Sequence, residues 1–120
     1  MLIVTNNPGV SSKYRAAEHV EGAPVDVLAR VGVLLQEGYR LVTAPLCGNL
    51  VMLRNPYRSL VLEKAPGGET PAEDFLKVAD AYQRLVEKSG WKVPEETLAD
   101  YAFMDGMFTD RTLEEWSRGR

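Results

Sequence analysis

Short runs of β-branched and aliphatic residues alternate along this chain with segments whose apolar residues repeat at helical spacing, and this alternation restricts the fold more than any other feature. Leu2, Ile3, Val4 and Thr5 form the first run, closed by Asn6-Asn7-Pro8-Gly9, which combines the side-chain caps and the fixed φ that turns use. Residues 10–16 suit a short helix capped by Ser11 or Ser12, and residues 17–21 a second strand. Val27, Leu28, Val31, Leu34 and Leu35 then recur at i, i+1, i+4, i+7 and i+8, one face of a helix over 24–37 that Gly38 stops. Residues 39–43 and 59–62 read as interior strands, ended by Ala44-Pro45 and by Pro66-Gly67-Gly68. Thr70-Pro71-Ala72-Glu73 combines a capping box with proline at the first helical position. Behind it, Phe75, Leu76, Val78, Ala79, Tyr82, Leu85 and Val86 make the expected buried stripe of a helix running to Gly90.

Strands alternating with helices predict an α/β fold, a three-layer sandwich around a small, mostly parallel sheet with right-handed crossovers. At 120 residues the expectation is one domain, 1–120, large enough to bury a core without a metal or a disulfide. The last quarter, 91–120, reads as a C-terminal helical extension, with helices starting near Pro94 and Thr112. Trp91, Tyr101, Phe103, Phe108 and Trp116 place five of the ten aromatics there, beside Met104 and Met107. Two uses fit it equally: a cover for a sheet edge, or a subunit or partner interface.

Composition then removes whole classes of function. One cysteine, Cys47, and one histidine, His19, exclude an internal disulfide, a zinc finger, a CxxC pair and a multi-histidine metal centre, so no metal or cofactor is expected. Fourteen Lys and Arg against seventeen Asp and Glu give a net charge of −3, with no basic stripe for nucleic acid. No stretch approaches the ~20 apolar residues of a membrane span. The start Met-Leu-Ile-Val-Thr lacks the basic and apolar regions of a signal peptide, so a cytoplasmic location is expected.

Open α/β sheets hold ligands beyond the carboxyl ends of their strands, which directs attention to the loops 6–12 and 44–58. The first offers amides, hydroxyls and Lys13, without a GxGxxG or GxxxxGK[ST] pattern, and an ordinary strand-to-helix turn explains it as well. The second carries two arginines, two prolines and a glycine in one irregular link, the kind of loop that often has a function. Candidate ligand-binding residues are therefore Asn6, Asn7, Thr43, Gly48, Asn49, Arg54, Tyr57 and Arg58, with the arginines as forked clamps for a carboxylate or phosphate and Tyr57 as a flat face with a polar tip. Against this, either arginine could serve a structural ion pair. Cys47 reads as a small buried hydrophobe before a nucleophile, since His19 is the only histidine and stands outside both loops. Glu95-Glu96 and Glu114-Glu115 fit helix-start electrostatics, and no catalytic constellation is visible. The direction of the strand beginning at Ser59 decides whether these loops share one site: an antiparallel return keeps them together, a parallel crossover splits them.

The start Leu2-Ile3-Val4-Thr5-Asn6-Asn7-Pro8, the helix ending at Gly38, and Leu41-Val42-Thr43-Ala44-Pro45-Leu46-Cys47-Gly48-Asn49 followed by Pro56-Tyr57-Arg58-Ser59 resemble the GrdX family over about residues 1–65. These are small proteins encoded alongside glycine, sarcosine and betaine reductase components of amino-acid-fermenting bacteria, so the resemblance implies a pathway rather than a reaction. Ala44 and Cys47 stand where the family pattern has His and Ser, and apolar residues around Val51 to Leu53 replace a Lys-Pro, changes that weaken acid-base chemistry more than ligand binding. Three expectations result: an accessory protein binding a small anionic or amino-acid-derived ligand; a small enzyme acting on an amino-acid-derived carboxylate; or a homo-oligomeric or reductase-associated interaction protein using the aromatic tail.

Overall fold

The computed structural model describes residues 1–43, 54–87 and 92–119. Four strands form one sheet: β1 (Leu2–Thr5), β2 (Ala17–His19), β3 (Tyr39–Leu41) and β4 (Ser59–Lys64), in the order β2-β1-β4-β3. β2 runs parallel to β1, whereas β4 is antiparallel to both β1 and β3. The fold is α/β as the sequence predicts, but the sheet is mixed, with two of its three pairings antiparallel instead of a mostly parallel set. The register Thr5↔Ser59 sets the start of β4 beside the end of β1, so the Pro56–Arg58 end of the second candidate loop meets the first loop at Asn6.

Alternation along β1 and β4 divides the apolar residues between two faces, as the two-residue period of a strand requires. Val4, Leu60 and Leu62 face α2 (Pro24–Gln36) and α3 (Ala72–Glu87), packing on Leu28, Val31, Leu35, Val78 and Leu85. Ile3 and Val61 face the other way, onto Val10 of α1 (Pro8–Lys13) and Leu113 of α4 (Leu98–Arg118). All five predicted core residues of α2 are buried. Its start is held by the Asp26 carboxylate accepting the Ala23 N–H at 2.8 Å, and its end by Gly38 at φ +96°, where an added Cβ would meet the Gly68 carbonyl oxygen at 3.1 Å.

Several local expectations are replaced by tertiary contacts. The first helix starts at Pro8 and is capped by Asn7, whose Oδ1 accepts the Gly9 N–H, rather than by Ser11 or Ser12. Thr70 forms no capping box; its hydroxyl turns back to the carbonyls of Leu35 and Tyr39 and ties the start of α3 to the end of α2. The buried face of α3 is Asp74, Val78, Ala81 and Leu85, so Phe75, Tyr82, Val86 and above all Leu76, 71% exposed, remain on the surface. Asp74 is inside because its Oδ2 accepts the Leu41 N–H at 2.9 Å, at the edge strand of the sheet.

The tail differs most from expectation. In place of two helices near Pro94 and Thr112, a 3₁₀ turn at Glu95–Thr97 leads into the single helix α4, which lies on a sheet face rather than along an edge. Its far end is anchored by Trp116 Nε1 donating to Glu63 Oε2 at 2.8 Å, while Arg40 grips the other Glu63 oxygen across the β3–β4 pair. Trp91 lies outside the described residues. No helix among the described residues is long and apolar enough to cross a membrane.

Because Leu113 closes the cluster of Ile3, Val10 and Val61, truncating it leaves a cavity under α4. Leu113→Ala should lower unfolding free energy by about 2–4 kcal/mol in urea titrations. A loss below about 0.5 kcal/mol, the range of surface substitutions, would mean that α4 is not part of the folded core.

Candidate functional site

Polar residues collect where β1 ends. Thr5, Asn6, Asn7, Asn55, Arg58, Asp105 and Thr109 are all buried there, an expensive arrangement unless their groups satisfy one another. Asn6 does so with its whole amide: Nδ2 donates to the carbonyls of Gly22 and Pro56, and Oδ1 accepts the Arg58 N–H at 2.8 Å. Asn7 caps α1 with its oxygen and donates through Nδ2 to the Ala102 carbonyl and to Asp105 Oδ2. Asn55 donates to the Tyr101 carbonyl and accepts the Tyr57 N–H, which fixes the approach to β4. The sequence chosen for side-chain caps thus becomes a clasp joining β1, the link before β4, and α4.

Asp105 is the centre of the clasp. It projects from α4 with 6% exposure, and one oxygen, Oδ2, accepts both the Ser59 hydroxyl at 2.6 Å and the Asn7 amide at 3.0 Å. Ser59 in turn meets the Thr5 hydroxyl at 2.7 Å, and Thr5 Oγ1 accepts the Asn7 N–H. Burial pushes the Asp105 carboxyl above its ordinary pKa, against the opposing pull of Ser59, Asn7 and the positive charge of Arg58. Desolvation prevails over three favourable partners, so the carboxyl binds a proton more readily than it would in water.

Beside this clasp, a cleft of about 630 Å³ opens between α1 and α4, in the size range of small-molecule sites. Asn7, Pro8, Gly9 and Tyr57 are part of its lining. At its outer end Lys13 pairs with Asp110 at 2.9 Å, and the Tyr14 hydroxyl donates to the second Asp110 oxygen. Burial raises the Asp110 pKa, yet Tyr14 and Lys13 together outweigh it and hold the carboxyl below its ordinary value; the same contact raises that of Lys13.

The eight predicted residues therefore separate. Asn6, Asn7, Tyr57 and Arg58 come together at the end of β1, with Asn7 and Tyr57 in the cleft wall. Thr43 lies across β4 from them, its hydroxyl accepting the Val61 N–H at 2.9 Å. Arg54 is half-buried just before Asn55, while Gly48 and Asn49, like Cys47, lie outside the described residues. Asp105, Ser59 and Thr5 were not singled out from sequence. Their one available signal was an acid on the same helical stripe as Ala102, Thr109 and Leu113, which belongs at a polar junction rather than in solvent. His19, expected outside both loops, reaches the first one: its Nδ1 is bonded to Ser11 of α1 and its Nε2 lies 3.0 Å from the exposed Glu21 carboxylate. That contact ties β2 to α1 outside the cleft. Among the described residues, no group of three or more His, Cys, Asp or Glu could hold a metal ion.

Fold and strand end together define a small mixed-sheet α/β protein with a polar clasp and an open cleft at the carboxyl end of its first strand. The chain belongs to the GrdX-like protein family, whose pattern it matches over residues 2–114. The likeness thus reaches well beyond residue 65, through α3 and most of α4. No curated protein and no solved structure matches the chain.

The sign of the Asp105 shift fixes a pH effect. Between its ordinary value and its raised one, the folded chain holds a proton that the unfolded chain has released, so this group's contribution to stability is complete at low pH and is lost as pH rises through the raised value. The stability difference, wild type minus Asp105→Asn, should therefore become more positive as pH falls from 7 to about 4 in paired urea unfolding curves. A difference that stays flat or moves the other way would show that the carboxyl is not held in a desolvated site.

Proposed function

We infer that this protein is a non-enzymatic accessory protein of its family that binds a small anionic or amino-acid-derived ligand at the carboxyl end of β1. One observation carries this: the antiparallel return of β4 sets Arg58 and Tyr57 directly against Asn6 and Asn7, beside a cleft of about 630 Å³. The interlocked amides of Asn6 and Asn7 make a rigid support, and a rigid scaffold under polar loops is what ligand sites use. Tyr57 is the side chain of the second loop that lies in the cleft wall, whereas Arg58, buried beside Asp105, positions the loop. A location in the cytoplasm and an association with glycine reductase components are part of the same proposal. The small-enzyme alternative would use Cys47, which lies outside the described residues, or a carboxylate, and the buried carboxyl beside Arg58, Asp105, is committed to the clasp.

A second reading, an interaction protein, is favoured by the exposed apolar side chains of α4: Phe108, outside the cleft lining, and Phe103, 71% exposed, and Met107 within it. Aromatic and methionine side chains are enriched in interface cores. The partner would be a second copy of the chain or a reductase component.

Thermal-shift measurements with phosphate, nucleotides, glycine, sarcosine and betaine separate the two. A ligand at 100 times its Kd stabilises by about 2.7 kcal/mol, and that shift should shrink in Tyr57→Ala, chosen because Arg58→Ala would disturb the buried clasp itself. Unchanged melting with every compound, together with a concentration-dependent sedimentation coefficient abolished by Phe108→Ser, would favour the interaction protein instead.

A further inference from the structure

The α1–α4 cleft has a chemical character of its own. Its α4 wall is a stripe of small residues, Ala99, Ala102 and Gly106, and a Cβ built on Gly106 would meet nothing within 4 Å, so open space lies directly above the helix backbone. Aromatic and thioether groups line the cleft as well: Tyr14, Tyr57, Phe103 and Met107. Among the described residues, two charged side chains line it, Lys13 and Asp110, and they are of opposite sign, 2.9 Å apart, at one end. Asp110 keeps one oxygen on the Tyr14 hydroxyl and offers the other to Lys13, whose side chain is more than half exposed and able to swing.

We propose that this cleft binds a zwitterionic amino acid with a large apolar side chain, its ammonium group on Asp110, its carboxylate on Lys13, and its side chain over Gly106 between Tyr57, Phe103 and Met107. Charge complementarity carries the assignment. A simple anion could take Lys13 only by leaving Asp110 facing the vacated end, and a simple cation would displace Lys13 without giving it a partner. A zwitterion satisfies both by exchange, with the Tyr14 hydroxyl still holding Asp110 in place. The apolar remainder of the cleft then gains from side-chain burial and ring contacts. The inference rests on the strand-end cleft being a ligand site and narrows the ligand, because glycine-sized compounds would leave the depression over Gly106 empty.

Chemical-shift titration of the full chain with L-phenylalanine, 3-phenylpropionate, 2-phenylethylamine and glycine tests it. Phenylalanine should perturb the Gly9 and Gly106 amides and bind more tightly than the two singly charged analogues, each of which should be weaker by about fivefold, the upper range for a partly exposed ion pair. Lys13→Ala should erase the advantage of phenylalanine over phenylethylamine, and Asp110→Asn its advantage over phenylpropionate. Gly106→Leu, which fills the depression and improves helix propensity, should abolish binding while the fold, read from the remaining amide shifts, is retained. Equal affinity for phenylalanine and phenylpropionate, or binding that survives Gly106→Leu, overturns the zwitterion assignment. Glycine perturbing Asn7 and Tyr57 while phenylalanine perturbs nothing overturns it too, but leaves the strand-end site standing; no response to any compound removes both.

Discussion

A single carboxylate oxygen, Asp105 Oδ2, holds the end of β1, the start of β4 and the middle of α4 in one place by accepting from Ser59 and Asn7. Most of the fold's long-range order converges on that point. Asn7 also caps α1, and Ser59 shares a hydrogen bond with Thr5, so the carboxylate fixes the first helix and the β1–β4 register together. A charge buried to this degree is costly, and its raised pKa reports the cost. Every donor around it must therefore be in position, which links the geometry of the candidate loops to the docking of α4.

The remaining polar contacts repeat this logic at the periphery. Arg30 of α2 grips Glu18 of β2 with two hydrogen bonds, Asp74 of α3 closes the β3 edge at Leu41, and Glu63 of β4 is held by Arg40 and Trp116. Apart from Arg40, which joins β3 to β4, each ties a helix to a strand across the face or edge it covers. The apolar clusters supply cohesion without direction, and these bonds fix which helix lies where. The Lys13, Tyr14 and Asp110 group differs, since it ties α1 to α4 at the mouth of a cleft, where its partners can be exchanged.

Much of the site was legible one residue at a time. Asn6 and Asn7 stood out as cap formers; Asn7 caps α1, but its Nδ2 and the whole amide of Asn6 bond to chain remote in sequence, at Ala102, Pro56 and Arg58. Arg58 stood out as an anion clamp and lies instead buried beside an acid. Asp105 was invisible because an aspartate in an amphipathic helix is ordinarily a surface residue, and only the strand opposite makes it central. The stripe on α3 misled for a related reason: seven apolar residues spread around the helix leave its rotation undefined, and Asp74 at the sheet edge settles it. For α2 no such ambiguity arose, since its five apolar residues occupy one narrow face and all are buried.

By itself the sequence determined the local alphabet: where most strands and helices lie, the stop at Gly38, the α/β class, and the exclusion of disulfide and histidine-rich metal chemistry by one cysteine and one histidine. These depend on spacing and on backbone preference, which act within a few residues. Tertiary structure alone decided that β4 returns antiparallel to β1, that the aromatic tail is one helix lying on the sheet, and that the two loops meet around Asp105. Strand direction and helix docking depend on which distant groups can satisfy one another once water is excluded. Residues separated by fifty or a hundred positions carry no mark in the sequence of the partner they will meet.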